Sequence, residues 1–122
     1  MNENLVTYTF SVTDATEGNA LGANAVYFMV PFGATLVYAS AAPQDDDALL
    51  TVDINDDAAE IVAAIDATDK DVPGEWISTH MGGTETPIEI AAGSVLDLDF
   101  NNAAVANRVD VQLVFLQGST WG

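Results

Sequence analysis

The stretch PIEIAAGSVLDLDF, residues 87–100, alternates apolar and polar side chains on either side of a small-residue break. Ile88 and Ile90 flank Glu89, and Leu96, Leu98 and Phe100 flank Asp97 and Asp99. A period of two with one apolar and one acidic face is the pattern of strands half buried in a sheet. Ala91, Ala92, Gly93 and Ser94 supply a turn between them, so the stretch predicts a hairpin. Its acidic side, Asp97 and Asp99 included, reads as solvated. The rest of the chain then has to supply the strands that cover the apolar side.

Outward from that stretch the same pattern recurs. Leu5 to Val12 places Val6, Tyr8, Phe10 and Val12 on one face. Asp14 to Asn24 is a small, polar, glycine-containing loop. Ala34 to Ala42 is a strand with Leu36, Tyr38 and Ser40 on one face, and Pro43 to Asp47 an exposed acidic turn. Leu49 to Asn55 directs Leu50, Val52 and Ile54 inward and Thr51, Asp53 and Asn55 outward. Glu60 to Ile65 continues as Ile61, Ala63 and Ile65. A short helix capped by Asp56 or Asp57 competes there, but Ile and Val in a strand-rich chain favour strand. Asp66 to Pro73 is an acidic loop, Trp76 to Thr79 a short strand, and Gly82 to Thr86 a flexible link. Asn101 to Asn107 is a loop. Arg108 to Gln117 closes the chain, with Val109, Val111, Leu113 and Phe115 on one side. About eight or nine short strands, with turn signals roughly every ten residues, predict an all-β antiparallel sandwich. Residues 1–122 are expected to form one such domain, with a short arm at 1–4 and a tail at 118–122.

Ala25 to Pro31, AVYFMVP, breaks the alternation by being apolar on both faces. In a small sandwich one face of each sheet normally meets water. The second apolar face is therefore covered either by another subunit or by a loop of the same chain.

Charge restricts the partners. The chain carries 19 Asp and Glu against 2 Lys and Arg, a formal net charge of −17. Nucleic-acid backbones and anionic membranes are bound through clustered cations, which Lys70 and Arg108 alone do not supply, so neither is expected as a partner. The acidity suits a salt-adapted surface, carboxylates holding divalent cations, or the solvent face of a large assembly. There is no cysteine, so neither disulfides nor thiolate metal sites contribute. MNENLVTYTF lacks a basic segment and a long apolar run, and no stretch approaches a membrane span. A soluble protein made in the cytoplasm is expected.

Four pieces in order, VPFGATL (30–36), TVDIN (51–55), PIEIAAGSVLDLD (87–99) and VDVQLVF (109–115), resemble a β-sandwich domain that recurs in structural proteins of tailed bacteriophages. Where that family usually has a Lys-Asn-Gly type of turn after V-D-I-N, this chain has Asp56, Asp57 and Ala58, which allows a longer connection. The resemblance covers Ala25 to Gln117. It implies a jelly roll, and a head decoration (cement) protein that forms a homotrimer on the outer surface of the capsid with the major capsid protein as partner. A fibre or baseplate module, or a sandwich that binds host glycan, is the alternative. Surface for subunit or shell contacts is expected at Tyr27, Phe28 and Met29, at outward Val114 and Leu116, and around Leu5 and Trp121.

Other candidate sites have plainer readings. Asp53, Asn55 and Asp57 have the spacing that opens a calcium loop, but Ala58 and Ala64 stand where its glycine and glutamate belong. They read as a solvated face, as do Asp66, Asp69 and Asp71, and Asp45 to Asp47 as a solvated tip. No cofactor is expected, with calcium the one exception to weigh. His80 shares a strand face with Ser78, but no orienting group or oxyanion site accompanies them, so no catalysis is expected. Tyr27, Trp76 and Trp121 form either a sugar-stacking platform or core and interface.

Overall fold

The computed structural model describes residues 4–13, 26–102 and 106–117. The expected loop at 14–24, the first three residues of the arm and the tail at 118–122 lie outside them. Nine strands form: β1 (Leu5–Thr13), β2 (Val26–Met29), β3 (Ala34–Pro43), β4 (Thr51–Asp56), β5 (Ala59–Asp66), β6 (Gly74–Ile77), β7 (Ile88–Ile90), β8 (Val95–Asn101) and β9 (Arg108–Gln117). One short 3-10 helix, Thr79–Met81, accompanies them. The protein is all-β, as its alternation implies.

The strands pair antiparallel in two sheets. One runs β1-β9-β3-β6, with β7 also on β3, and the other runs β2-β8-β4-β5. The pairings are nested: β4 with β5, β3 with β6 and β7, β2 with β8, and β1 with β9. Between the sheets lies one apolar cluster that includes Leu36 and Ala39 of β3, Val52 and Ile54 of β4, Leu96 and Leu98 of β8, and Leu113 and Phe115 of β9. In β4, β8 and β9 these are inward residues of an alternating strand, so their burial follows from the period of two.

Three expectations fail, each for a local reason. First, residues 87–100 do not form a hairpin. β7 pairs with β3 in one sheet, and β8 pairs with β2 and β4 in the other. The turn at 91–94 crosses between layers, held by Ser94 N–H to Ala91 O and Gly93 N–H to Val30 O. Both segments alternate, but toward a shared core rather than across a shared ladder.

Second, β3 reverses its faces. The register slips between Leu36 and Tyr38, and the carbonyl of the extra residue, Val37, accepts the Ser78 N–H. A bulge re-aims all that follows it. Leu36 stays inward, but Ala39 and Ala41 replace the expected Tyr38 and Ser40. Third, β5 slips twice against β4, so Val62 and Ile65 are its buried residues while Ala63 is exposed. Ala64, at φ 56°, lies in the second slip, and its N–H donates to Asp53 Oδ1 at 2.6 Å.

The β4–β5 connection is a two-residue turn, not a longer one. Asp57 and Ala58 have φ of 49° and 72° between the paired Asp56 and Ala59. Positive φ at both central positions marks the turn type that suits strand twist, and it normally recruits Asn and Gly. Asp57 compensates through β8: its N–H donates to Val95 O and its Oδ1 accepts the Val95 N–H. Ala58 has no such help. Ala58→Gly is expected to stabilise the protein by about 1 kcal/mol by removing left-handed strain, read as a rise in thermal midpoint.

The 82–86 segment, expected to be flexible, is tied down. Thr79 N–H donates to Glu85 O and Glu85 N–H donates to Ile77 O, bridging Ser78, and Gly82 takes a left-handed φ of 89° that ends the 3-10 turn. It covers part of the edge of β6.

Candidate functional site

The two sheets begin with β1 and β2 at the same side of the sandwich. Tyr8 of β1 and Phe28 of β2 meet edge to face at 5.5 Å, and Phe10 lies 4.8 Å from Phe28. Tyr8 also reaches Phe115 at 5.5 Å. Along β1 the side chains alternate between exposed and half-buried, and none is fully covered. At this seam Tyr8, Phe10, Val12 and Phe28 pack against the core while staying partly exposed.

An edge strand is usually protected by charge, proline or a bulge. β5, the far edge of its sheet, has two bulges and Glu60. β1 has none of these: nine residues, LVTYTFSVT, with unbroken register against β9 and no charged side chain in a chain of net charge −17. Next to it, Tyr27 and Met29 project from β2 at 63% and 62% exposure. The exposed side chains of β1 are Leu5, Thr7, Thr9, Ser11 and Thr13, so the uncharged edge strand is mostly hydroxylated outside, and the exposed apolar side chains of β2 are Tyr27 and Met29.

The expected contact residues divide. Tyr27 and Met29 are outward. Phe28 is turned inward onto the core, so the two-faced stretch is explained by one core residue between two surface ones. Leu5 is 45% exposed and lies within β1 rather than in a loose arm, since the ladder extends to Asn4 O accepting the Gln117 N–H. Leu116, opposite Leu5, is half-buried. Val114 is on the outer face between Thr7 and Tyr38, but its neighbours bury it and it presents no surface. Trp121 lies outside the described residues.

Three exposed apolar residues were not among those expected. Leu49 is 69% exposed, Val72 63%, and Met81 caps the far edge. Leu49 precedes the strand it was assigned to, and Val72 is hidden in sequence by the acids around it. The out-of-phase pair Leu49–Leu50 was the only signal.

The outer face of the second sheet is acidic but not simply wet. Asp97 is 3% exposed, and Asn55 is buried beside it. The Asn55 amide donates to Asp97 Oδ2 at 3.1 Å and Asp99 Oδ2 at 2.9 Å, and the Asn101 amide donates to Asp53 Oδ2 at 2.8 Å. Carboxylates directly opposite on neighbouring strands repel; here carboxamides between them supply the missing donors. Asp53 and Asp99 sit opposite each other, and Glu60 is close enough that its carboxyl is pushed up, chiefly by the charge of Asp53.

Asp47 is likewise no solvated tip. It is buried, its Oδ2 accepts the Ala106 N–H and its N–H reaches Thr68 O. Asp45 accepts from Asn107 and Asp46 from the Lys70 N–H. Asp66 and Asp69 bond the backbone two residues on, folding the 66–73 loop. Among the described residues, no three His, Cys, Asp or Glu side chains come together in a metal-holding group.

Asp56 has an unpartnered, buried Oδ1, and burial, then the charge of Asp57, push its carboxyl up, with Ser94 partly opposing. A carboxyl raised in the folded state weakens folding once pH exceeds that raised value, and the loss is relieved as pH falls through it. Asp56→Asn is therefore expected to raise the urea midpoint at pH 7. The advantage should shrink as pH is lowered toward the ordinary carboxyl range. A difference constant with pH would contradict the charge argument.

Ser78 and His80 do not share a face. Ser78 is fully buried and its Oγ has no partner, while His80 is exposed on the 3-10 turn. Tyr38 donates to Glu75, and burial, with this bond, pushes the Tyr38 hydroxyl up. Beside it an open cleft of about 230 Å³ is lined by Glu75, Ile77, Gly83, Thr84 and Glu85. Trp76 opposes Ala39 and packs toward the core of the first sheet, whereas Tyr27 projects from the second. The two form no common stacking platform.

No family model matches the chain, and no curated protein matches it. Among solved structures it is similar to a chain of the cyanophage Pam1 capsid asymmetric unit, with TM-score 0.46 and 13% identity, over 94% of this chain and 86% of that one.

Proposed function

We propose that this is a virion structural protein of a tailed phage: a head decoration protein that assembles as a homotrimer and clamps the outer surface of the capsid, with the major capsid protein as its partner. The observation that carries the reading is the edge at β1 and β2, uncharged along β1 and without proline or bulge there among the described residues, with Tyr27 and Met29 exposed on β2. On a −17 protein the exposed Tyr27 and Met29 are apolar surface available for burial against a partner.

Two further features support it. The strand orders β1-β9-β3-β6 and β2-β8-β4-β5, with their nested pairings, support a jelly-roll reading of the two antiparallel sheets, a fold used by viral capsid proteins and lectins alike. The four phage-like sequence pieces fall on structural pieces: β3 and its approach, β4, the β7–β8 crossing, and β9.

The mechanism is contact, not chemistry, and uses no cofactor. Buried apolar area contributes roughly 25 cal/mol per Å², and a stable interface covers about 800 Å² on each partner. Many copies across capsomer joints would resist the outward pressure of the packaged genome. The acidic remainder repels the packaged DNA and keeps particles dispersed.

Undecorated heads of the same phage provide the test. Added protein should attach in regular, saturable fashion and raise the temperature at which the heads release DNA. No attachment would overturn the reading, and saturable binding to host polysaccharide instead would favour a fibre or glycan-binding module.

A further inference from the structure

The backbone of β1 offers a ladder on the side away from β9. Gln117 N–H donates to Asn4 O, and from there the register runs unbroken from Leu5–Leu116 to Thr13–Arg108. In an antiparallel pair, residues that exchange both backbone bonds alternate with residues that exchange none. Asn4 bonds β9, so Val6, Tyr8, Phe10 and Val12 do as well. The N–H and C=O groups of Leu5, Thr7, Thr9 and Ser11 therefore point the other way, in a row that repeats about every 6.8 Å, two residues of strand rise. β1 ends its sheet, and among the described residues no strand lies on that side.

Donors and acceptors at that repeat match another extended backbone, so the occupant of this edge is a strand. The side chains define it further. Tyr8, Phe10 and Val12 point inward yet stay half-buried, with Phe28 beside them. Leu5, Thr7, Thr9 and Ser11 stand exposed on the other face. An added strand sets its inward residues beside Tyr8, Phe10 and Val12 and its outward residues beside the hydroxyls. Its sequence must therefore alternate apolar with polar.

We infer that the capsid partner supplies an extended segment of this alternating pattern, which adds to the outer side of β1 as a further strand and closes the seam. The inference deepens the proposed function and rests on it. The β1 of a second copy suits the edge less well. Its Tyr8 and Phe10 are already packed on its own Phe28, at 5.5 and 4.8 Å, so they do not cover another copy's seam. Two bodies of net charge −17 also repel each other. A segment that belongs to no sandwich keeps its apolar side chains for this contact.

Undecorated heads and a proline variant test it. Proline at position 9 removes an N–H that β9 does not use and sets its ring on the outer side, where an edge strand tolerates it. Thr9→Pro should keep the wild-type circular dichroism and attach to heads at least about tenfold more weakly. Thr9→Val, which keeps that N–H, should lose far less. Hydrogen exchange gives a readout on the unaltered chain, and it decides the matter if the proline variant does not fold. The amides of Leu5, Thr7, Thr9 and Ser11 should exchange readily in the free protein and become protected on heads. Wild type that attaches without protecting these amides, or a folded Thr9→Pro protein that attaches equally well, would overturn the inference and leave the decoration role standing. Wild type that does not attach would overturn both. A wild type that dimerises without heads through a contact that Thr9→Pro abolishes would assign the edge to a second copy and overturn the inference as well.

Discussion

Asn55→Asp should destabilise the fold by about 3–5 kcal/mol at pH 7, the range for leaving an uncompensated charge in a buried site. The change is isosteric, so packing is conserved. What it removes is the Nδ2 that donates to both Asp97 and Asp99, and what it adds is a third carboxylate among them. Asp97 is buried and has no room to turn toward water. Asn55→Ala separates the two effects: it loses the donors without adding charge, and about 2 kcal/mol is expected. The sign with pH follows. Burial and like-charged neighbours raise the new carboxyl, so its penalty is full above that raised value and is relieved as pH falls through it. Urea midpoints at pH 7 and near pH 4 measure this. Equal effects of Asp and Ala at both pH values would mean that the Asp97–Asn55–Asp99 row is not electrostatically strained.

Gly74→Ala should cost about 3 kcal/mol, at the upper end for overpacking. A methyl group there would lie 1.8 Å from the Asp66 carbonyl oxygen, with the Asp66 carbon and nitrogen at 2.6 and 2.8 Å. All three are backbone atoms, so no side-chain rotation relieves the clash. The junction between β5 and β6 must open, and with it the 66–73 loop that holds Val72. The urea midpoint is therefore expected to fall. A variant with wild-type stability would mean that this corner is loosely packed.

The core was legible because burial obeys a period of two wherever a strand runs without interruption. β9 is the clearest case: Val109, Val111, Leu113 and Phe115 are its inward residues as read. Legibility ended at bulges. One extra residue at Val37 turns Tyr38 outward, and two slips in β5 exchange Ala63 for Val62. No residue type announces these, because the bonds that set them come from Ser78 and Asp53, distant in sequence. The hairpin read at 87–100 failed for a related reason. Alternation says which side of a strand is buried, not which strand lies beside it.

Of the contact surface, Tyr27, Met29 and Leu5 were readable as apolar residues in excess of what the core needs. Phe28 was not separable from them until the strand's phase was known. The acids misled in the other direction. Asp47 and Asp97 look solvated in a chain with so many carboxylates, yet tertiary donors from Ala106 and Asn55 allow them to be buried.

The central claim is that the exposed apolar edge attaches this protein to a capsid. The most direct measurement is the number of copies bound per undecorated head, by co-sedimentation, for wild type and for a Tyr27→Glu, Met29→Glu double variant shown to be folded. Wild type should saturate at a fixed ratio to the major capsid protein, and the double variant should remain in the supernatant. Wild type that does not sediment with heads, or a double variant that binds as fully as wild type, would contradict it.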